Sequence, residues 1–111
     1  MREIKFRAWN RKLKGWIAER VFISENKVYI LRQNTLVWDS DAELNQFTGL
    51  KDKDGVDIYE GDTVKRSDKN YIGTVRWYGG TANFEIQYDE HHENFNAKSN
   101  YYKVVGNIYE N

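Results

Sequence analysis

The chain has 111 residues, a formal net charge of zero from 17 basic and 17 acidic side chains, and 15% aromatic residues. That length fits one domain able to bury a core without staples, and the absence of cysteine excludes a disulfide framework and thiolate chemistry. No window reaches the length of a membrane span, and MREIKFRAWN lacks the apolar run of a signal peptide, so the expectation is a cytoplasmic protein with no membrane partner.

Ile4, Phe6 and Ala8 alternate with Lys5, Arg7 and Trp9, a period-two pattern that predicts a half-buried strand with a largely basic outer face. Asn10 to Gly15 is a polar connection, and extended character resumes from Trp16 to Ile23. Ser24-Glu25-Asn26 is a turn signal before the β-rich Val28 to Leu31, and together these segments predict a meander of about three strands. Between Gln33 and Asn45 the strand signal weakens. Asp39-Ser40-Asp41 is read there as a turn, or as the cap of a single helical turn holding Ala42, Glu43 and Leu44.

The densest run is Gln46 to Lys65, where turn residues and core anchors alternate with almost no spacer. Gln46, Phe47 and Thr48 read as a short extended segment closed by Gly49, and Asp54-Gly55 is a strong turn signal inside the loop that starts at Lys51. Ile58 and Tyr59 are expected to be buried anchors. Glu60-Gly61-Asp62 makes a second turn, and Thr63-Val64-Lys65 leaves it as a strand. Ile72 to Tyr78 and Asn83 to Tyr88 form the clearest hairpin, with Gly79 to Ala82 as its loop. Its inward residues are expected to be Val75 and Trp77 on one strand and Phe84, Ile86 and Tyr88 on the other, with Thr74, Arg76, Tyr78, Glu85 and Gln87 facing out. Asp89 to Asn100 is read as a polar, mobile surface loop with Phe95 as its one large apolar anchor, and Tyr101 to Ile108 as a last strand with a bulge or bend at Gly106.

The fold class this predicts is mainly β, a single domain over residues 1–111. An N-terminal β segment over 1–45 packs as a meander on a small SH3-like barrel over 46–111, and barrel closure would remove most exposed strand edges.

Four blocks carry a resemblance. Lys5-Phe6-Arg7-Ala8-Trp9, the run from Thr48-Gly49-Leu50-Lys51-Asp52 to Ile58-Tyr59-Glu60-Gly61-Asp62, Gly73-Thr74-Val75-Arg76-Trp77, and Gly106-Asn107-Ile108-Tyr109-Glu110-Asn111 stand in that order over nearly the whole chain. In these blocks the sequence resembles the YopX family, small proteins of bacterial phages and prophages. The resemblance implies a mainly β fold and a phage origin, in a bacterial host cell, and it brings no catalytic residues. It also suggests that the closing segment docks near the central run.

Charge is uneven along the chain. Residues 1–32 carry nine Lys or Arg against three Glu, and residues 33–62 carry two Lys against eight acids. Either both segments are solvated faces, or the basic block lies against the acidic one within a chain or between subunits.

No motif supports catalysis. Asp52, Asp54, Asp57 and Glu60 invite a calcium reading, but counting from Asp52 puts Gly55 fourth, Asp57 sixth and Thr63 twelfth, where a calcium loop needs glycine sixth and glutamate twelfth. Turn formation is the expected role of these acids. His91-His92-Glu93 has no helical zinc spacing and reads as solvated loop; no G-x-S-x-G elbow or phosphate-cradling glycine pattern occurs. The reading is a non-enzymatic interaction or assembly module without metal, cofactor or small-molecule substrate. Its partner is expected to be another copy of itself, with a host protein or a nucleic acid as alternatives, since aromatic residues favour interfaces. The nucleic-acid alternative is a small β-barrel binder, and its candidate partner-binding residues are Lys65, Arg66, Tyr71, Arg76 and Tyr78, with Lys69 beside them. They mix cations with stacking rings as single-strand binders do, although zero net charge gives no global electrostatic footprint.

Overall fold

The computed structural model describes residues 5–68, 71–79, 83–88, 91–94 and 101–110. Among them the protein is mainly β, with twelve strands and no α-helix, so no helix there is long and apolar enough to cross a membrane. Two compact units divide the chain: Phe6–Asn45 form one, and Lys5 with the residues from Gln46 onward forms the other.

In the first unit, β1 (Phe6–Asn10) pairs antiparallel with β2 (Gly15–Trp16), bringing Trp9 opposite Trp16 with ring centroids 5.0 Å apart. Asn10 Oδ1 accepts the Leu13 N–H at 2.7 Å, which closes the connecting turn. β3 (Val21–Ser24), β4 (Lys27–Arg32) and β5 (Thr35–Trp38) follow as an antiparallel meander. Its two turns, Glu25-Asn26 and Gln33-Asn34, hold both residues at positive φ, the backbone of a two-residue hairpin whose twist matches the flanking strands. The expected turn or helical turn from Gln33 to Asn45 is therefore corrected, because strand β5 and the start of β6 occupy most of it. Leu36, Val37 and Trp38 find partners in Leu31, Ile30 and Tyr29, and such pairing decides a strand more than local propensity does. Asp39 does accept a backbone N–H, from Asp41 at 2.9 Å, but the turn leads into a strand.

β6 (Ala42–Lys51) begins in the first unit and continues into the second, where it pairs with β7 (Asp57–Tyr59). Gly49 does not end this strand as expected. It sits at φ 87° where the register shifts between Phe47 and Lys51, so it bulges the strand and lets pairing resume.

The second unit is built on five antiparallel strands, β8 (Asp62–Arg66), β9 (Ile72–Tyr78), β10 (Asn83–Tyr88), β11 (His91–Asn94) and β12 (Tyr102–Asn107), in spatial order β11-β10-β9-β8-β12. The hairpin strands β9 and β10 have the expected bounds. His91–Asn94, expected in a loop, pairs with Glu85 to Tyr88; its polar composition is that of an edge strand, exposed on one side to water. Phe95 and the rest of the expected loop lie outside the described residues. Gly106 lies at the expected bulge, where β12 shifts register against β8 and a Cβ would stand 3.0 Å from Thr63 Oγ1.

Ile58, Val64, Val75, Phe84, Ile86 and Tyr102 form the core, with Leu50, Tyr88 and Val104 against it. Two expected anchors fall outside this cluster. Trp77 is 45% exposed and meets Phe84 edge-on, because β8 covers β9 only between Ile72 and Thr74 and leaves the hairpin tip uncovered. Tyr59 is half-buried against the Phe47 ring. Glu85, expected to face water, is buried. The closing segment does reach the central run: Lys53 N–H donates to the Tyr102 carbonyl and Ile108 N–H to that of Gly61.

Backbone pairing closes no ring among the described residues, and β11 and β12 stand at opposite edges of the ladder. Yet the Tyr102 hydroxyl on β12 donates to Glu93 on β11. Two edges separated by three strands can share a hydrogen bond only if the sheet curls strongly between them.

Candidate functional site

The acids of the central run are engaged in geometry. Asp52 is buried and accepts three backbone N–H bonds: Asp54 and Val56 at Oδ1 (2.8 and 2.9 Å) and Val104 at Oδ2 (3.0 Å). Burial pushes its carboxyl up, but the bonds from Val104, Val56 and Asp54 together outweigh that and hold it below the usual aspartate value. Asp57 lies between Lys5 Nζ at 2.5 Å and Lys51 Nζ at 2.6 Å, and these two hydrogen-bonded ammonium groups lower its carboxyl as well. Lys5 with Asp57, and Arg11 with Glu43 at 3.2 Å, pair the basic block with the acidic one inside each unit. Among the described residues no group of three or more His, Asp or Glu is placed to hold a metal ion.

The five candidate partner-binding residues separate into two groups. Arg66 and Tyr71 lie on the inward side of the sheet, where the Arg66 side chain, 11% exposed, meets Asp68 at 2.5 Å, Glu93 at 2.9 Å and the Tyr71 hydroxyl at 3.1 Å. Asp68, with smaller contributions from Tyr71 and Glu93, raises the Arg66 pKa further above its ordinary value. Tyr71 stacks on Tyr88 with centroids 4.2 Å apart and shares a hydrogen bond with it. That bond, then burial, pushes the Tyr88 phenol up to about 12, while burial and then Glu93 raise Tyr102. This cluster spends its cation on its own acids and ties strands together.

Lys65, Arg76 and Tyr78 are exposed and share the outward face. Their register places Lys65 between Ile72 on β9 and Lys103 on β12, and Arg76 opposite Glu85. Glu85 and Gln87 lie on this face as the hairpin alternation predicted, whereas Lys103, which was not singled out from sequence, and His92, which was read as solvated loop, are brought to it only by strand register.

A second surface lies on the first unit. Val28 and Ile30 are buried on one side of β4, although their partners Ile23 and Val37 are each 45% exposed, and Phe22, Tyr29, Trp38, Leu31 and Leu36 share the opposite face by register. Phe22, Leu36 and Trp38 are 39%, 53% and 54% exposed. Lys27 Nζ lies 4.7 Å from the Trp38 ring and the Arg20 guanidinium 5.8 Å from that of Phe22, so cations rim the patch. The apolar run Leu36-Val37-Trp38 was the available sequence signal.

These features define a small β protein whose buried polar groups brace its strands while its open faces are apolar or cationic. The YopX family model, described as YopX protein, matches residues 5–111, and the chain belongs to that family. Its structure is similar to that of protein EF1440 from Enterococcus faecalis, with 20% identity, a TM-score of 0.69, and coverage of 98% of this chain and 95% of that one. It is also similar to YopX from Bacillus subtilis, with 17% identity, a TM-score of 0.60, and coverage of 100% and 96%. At such identities the likeness is one of fold. No curated protein sequence matches the chain.

Proposed function

We propose that this protein is a non-catalytic interaction module that assembles with further copies of itself through the apolar face of β3, β4 and β5. The carrying observation is that Phe22, Leu36 and Trp38 stand exposed together on one side of that sheet. With Tyr29 and Leu31 they offer on the order of 400 Å² of apolar surface, within the range of about 300–600 Å² for the largest patch on a monomer, which is often functional, and about half of one partner's share in a stable interface. The rim would supply the rest. A chain of zero net charge meets no overall repulsion from its own copies. A binding role rather than catalysis is favoured because Asp52, Asp57, Glu93 and Glu85 are each held by bonds that fix strands or turns.

The SH3-like architecture belongs to the same proposal. The order β12-β8-β9-β10-β11 places the last strand beside the first of five, and the bond from Tyr102 to Glu93 draws the free edges toward each other as in a small barrel. A phage or prophage setting in the cytoplasm of a bacterial host is the accompanying biological expectation. Sedimentation velocity across a hundredfold concentration range tests the assembly: a discrete oligomer should form, persist in high salt, and dissociate in Leu36→Lys and Trp38→Ser variants that melt like the parent. A monomer at every concentration, or an oligomer indifferent to both changes, would overturn it.

A further inference from the structure

We infer that the outward face of the five-stranded sheet binds single-stranded nucleic acid, with Lys65, Lys103 and Arg76 meeting phosphates and Tyr78 stacking against a base. This goes beyond self-assembly and rests on the other unit, so its failure leaves the assembly reading standing.

The first observation is an arrangement the fold does not need. Lys65 and Lys103 stand directly opposite each other across β8 and β12, where like charges repel. Neither forms an ion pair among the described residues, nor does Arg76, whereas Lys5, Lys51 and Arg66 in the same unit each have a carboxylate partner. Arg76 has Glu85 opposite it and Lys103 acts on Asp52 from a distance, but none of the three closes an ion pair among the described residues, and together they give this face a local attraction for anions that the zero net charge conceals.

The second observation is shape. Arg76 lies four residues along β9 from Ile72, the residue opposite Lys65, which puts it about 13 Å from the lysine pair, and Tyr78 extends the track to about 20 Å. At that end Arg76, Trp77, Tyr78, Glu85, Gln87 and His92 line a recess of about 290 Å³. The His92 ring lies beside Tyr78 with centroids 6.1 Å apart, and its Nδ1 is 3.1 Å from the carboxylate of Glu85, which is only 6% exposed. With Glu85 held beneath His92, the Tyr78 ring and the Gln87 amide, which both donates and accepts, are what the recess offers a base. A duplex keeps its base faces stacked away, so the ring favours a single strand.

The test is fluorescence anisotropy of a labelled twelve-nucleotide oligo-dC titrated with the full chain from about 50 to 200 mM salt. Three phosphate contacts should give a slope of log K against log salt near −2, at about −0.7 per contact. Lys65→Gln with Lys103→Gln should flatten the slope to about −0.7, and Tyr78→Ala should weaken binding by about 5- to 150-fold with the slope unchanged. Variants are compared only if their melting matches the parent, and all three positions are exposed. The inference fails if the probe does not bind at 50 mM salt, if Tyr78→Ala binds as tightly as the parent, if the matching duplex binds equally well, or if polyglutamate of equal charge displaces the probe as effectively as unlabelled oligo-dC.

Discussion

Replacing Asp52 with alanine removes the acceptor for three backbone N–H groups at once, those of Asp54, Val56 and Val104. A hydrogen bond to a charged acceptor contributes about 1.5–3 kcal/mol, and an unsatisfied donor costs about 1–3 kcal/mol if water cannot reach it. Allowing for partial solvent access and non-additivity, Asp52→Ala should cost about 3–5 kcal/mol, a large share of the total for a domain this size. Asp52→Asn keeps an oxygen for the loop but turns an NH2 toward the Val104 N–H, and should cost about 2 kcal/mol. Urea unfolding followed by circular dichroism reads both: at an m-value near 1.5 kcal/mol/M the alanine variant loses about 2–3 M in midpoint. The pH dependence supplies a second check. Because the folded carboxyl sits below its unfolded value of about 3.9, its contribution is complete above that pH and disappears as pH falls through the lower folded pKa. The gap between parent and Asp52→Asn should thus hold from pH 7 to 4 and shrink only below. A loss under about 1 kcal/mol for Asp52→Ala would refute the claim that this carboxylate organises the turn and the last strand.

Tyrosines govern the alkaline side. Tyr88 is pushed up to about 12 and Tyr102 is also raised, so their neutral forms stabilise the fold fully below the unfolded value near 10 and the contribution is lost as pH climbs toward the folded values. Absorbance titration should show two phenols that ionise late, and Tyr102→Phe should cost about 1 kcal/mol at pH 7 yet lessen the alkaline loss. Gly73 tests packing, since a Cβ there would lie 2.5 Å from Ile86 Cγ2 and 3.0 Å from the Gln87 carbonyl oxygen. Gly73→Ala should destabilise by about 1–3 kcal/mol in thermal melts, and an unchanged midpoint would mean that the two strands separate more easily than their register implies. Gly55 has open space but φ +82°, so Gly55→Ala should cost about 1 kcal/mol from backbone strain alone, with Gly55→Asn costing less.

The central run was legible because its turns depend on neighbours in sequence. Asp54-Gly55 and Glu60-Gly61 mark their turns in any context, and both glycines take positive φ. Period-two alternation likewise located β9 and β10. The Gln33-Asn34 turn and the polar β11 were missed for the opposite reason: neither has the local composition of what it forms, and each exists because a partner strand lies alongside. Among the candidate residues, Arg66 and Tyr71 carried the right chemistry for a binding surface but turn inward, and the facing lysine Lys103 is 38 positions away from Lys65 in the chain.

The sequence by itself determined a mainly β chain, its family blocks and the turns that punctuate it, since hydrophobic period and glycine conformation are local properties. Which charges are spent on structure and which stay exposed was decided by tertiary structure alone, because ion pairing and burial depend on strand register, and register joins residues that the sequence keeps far apart.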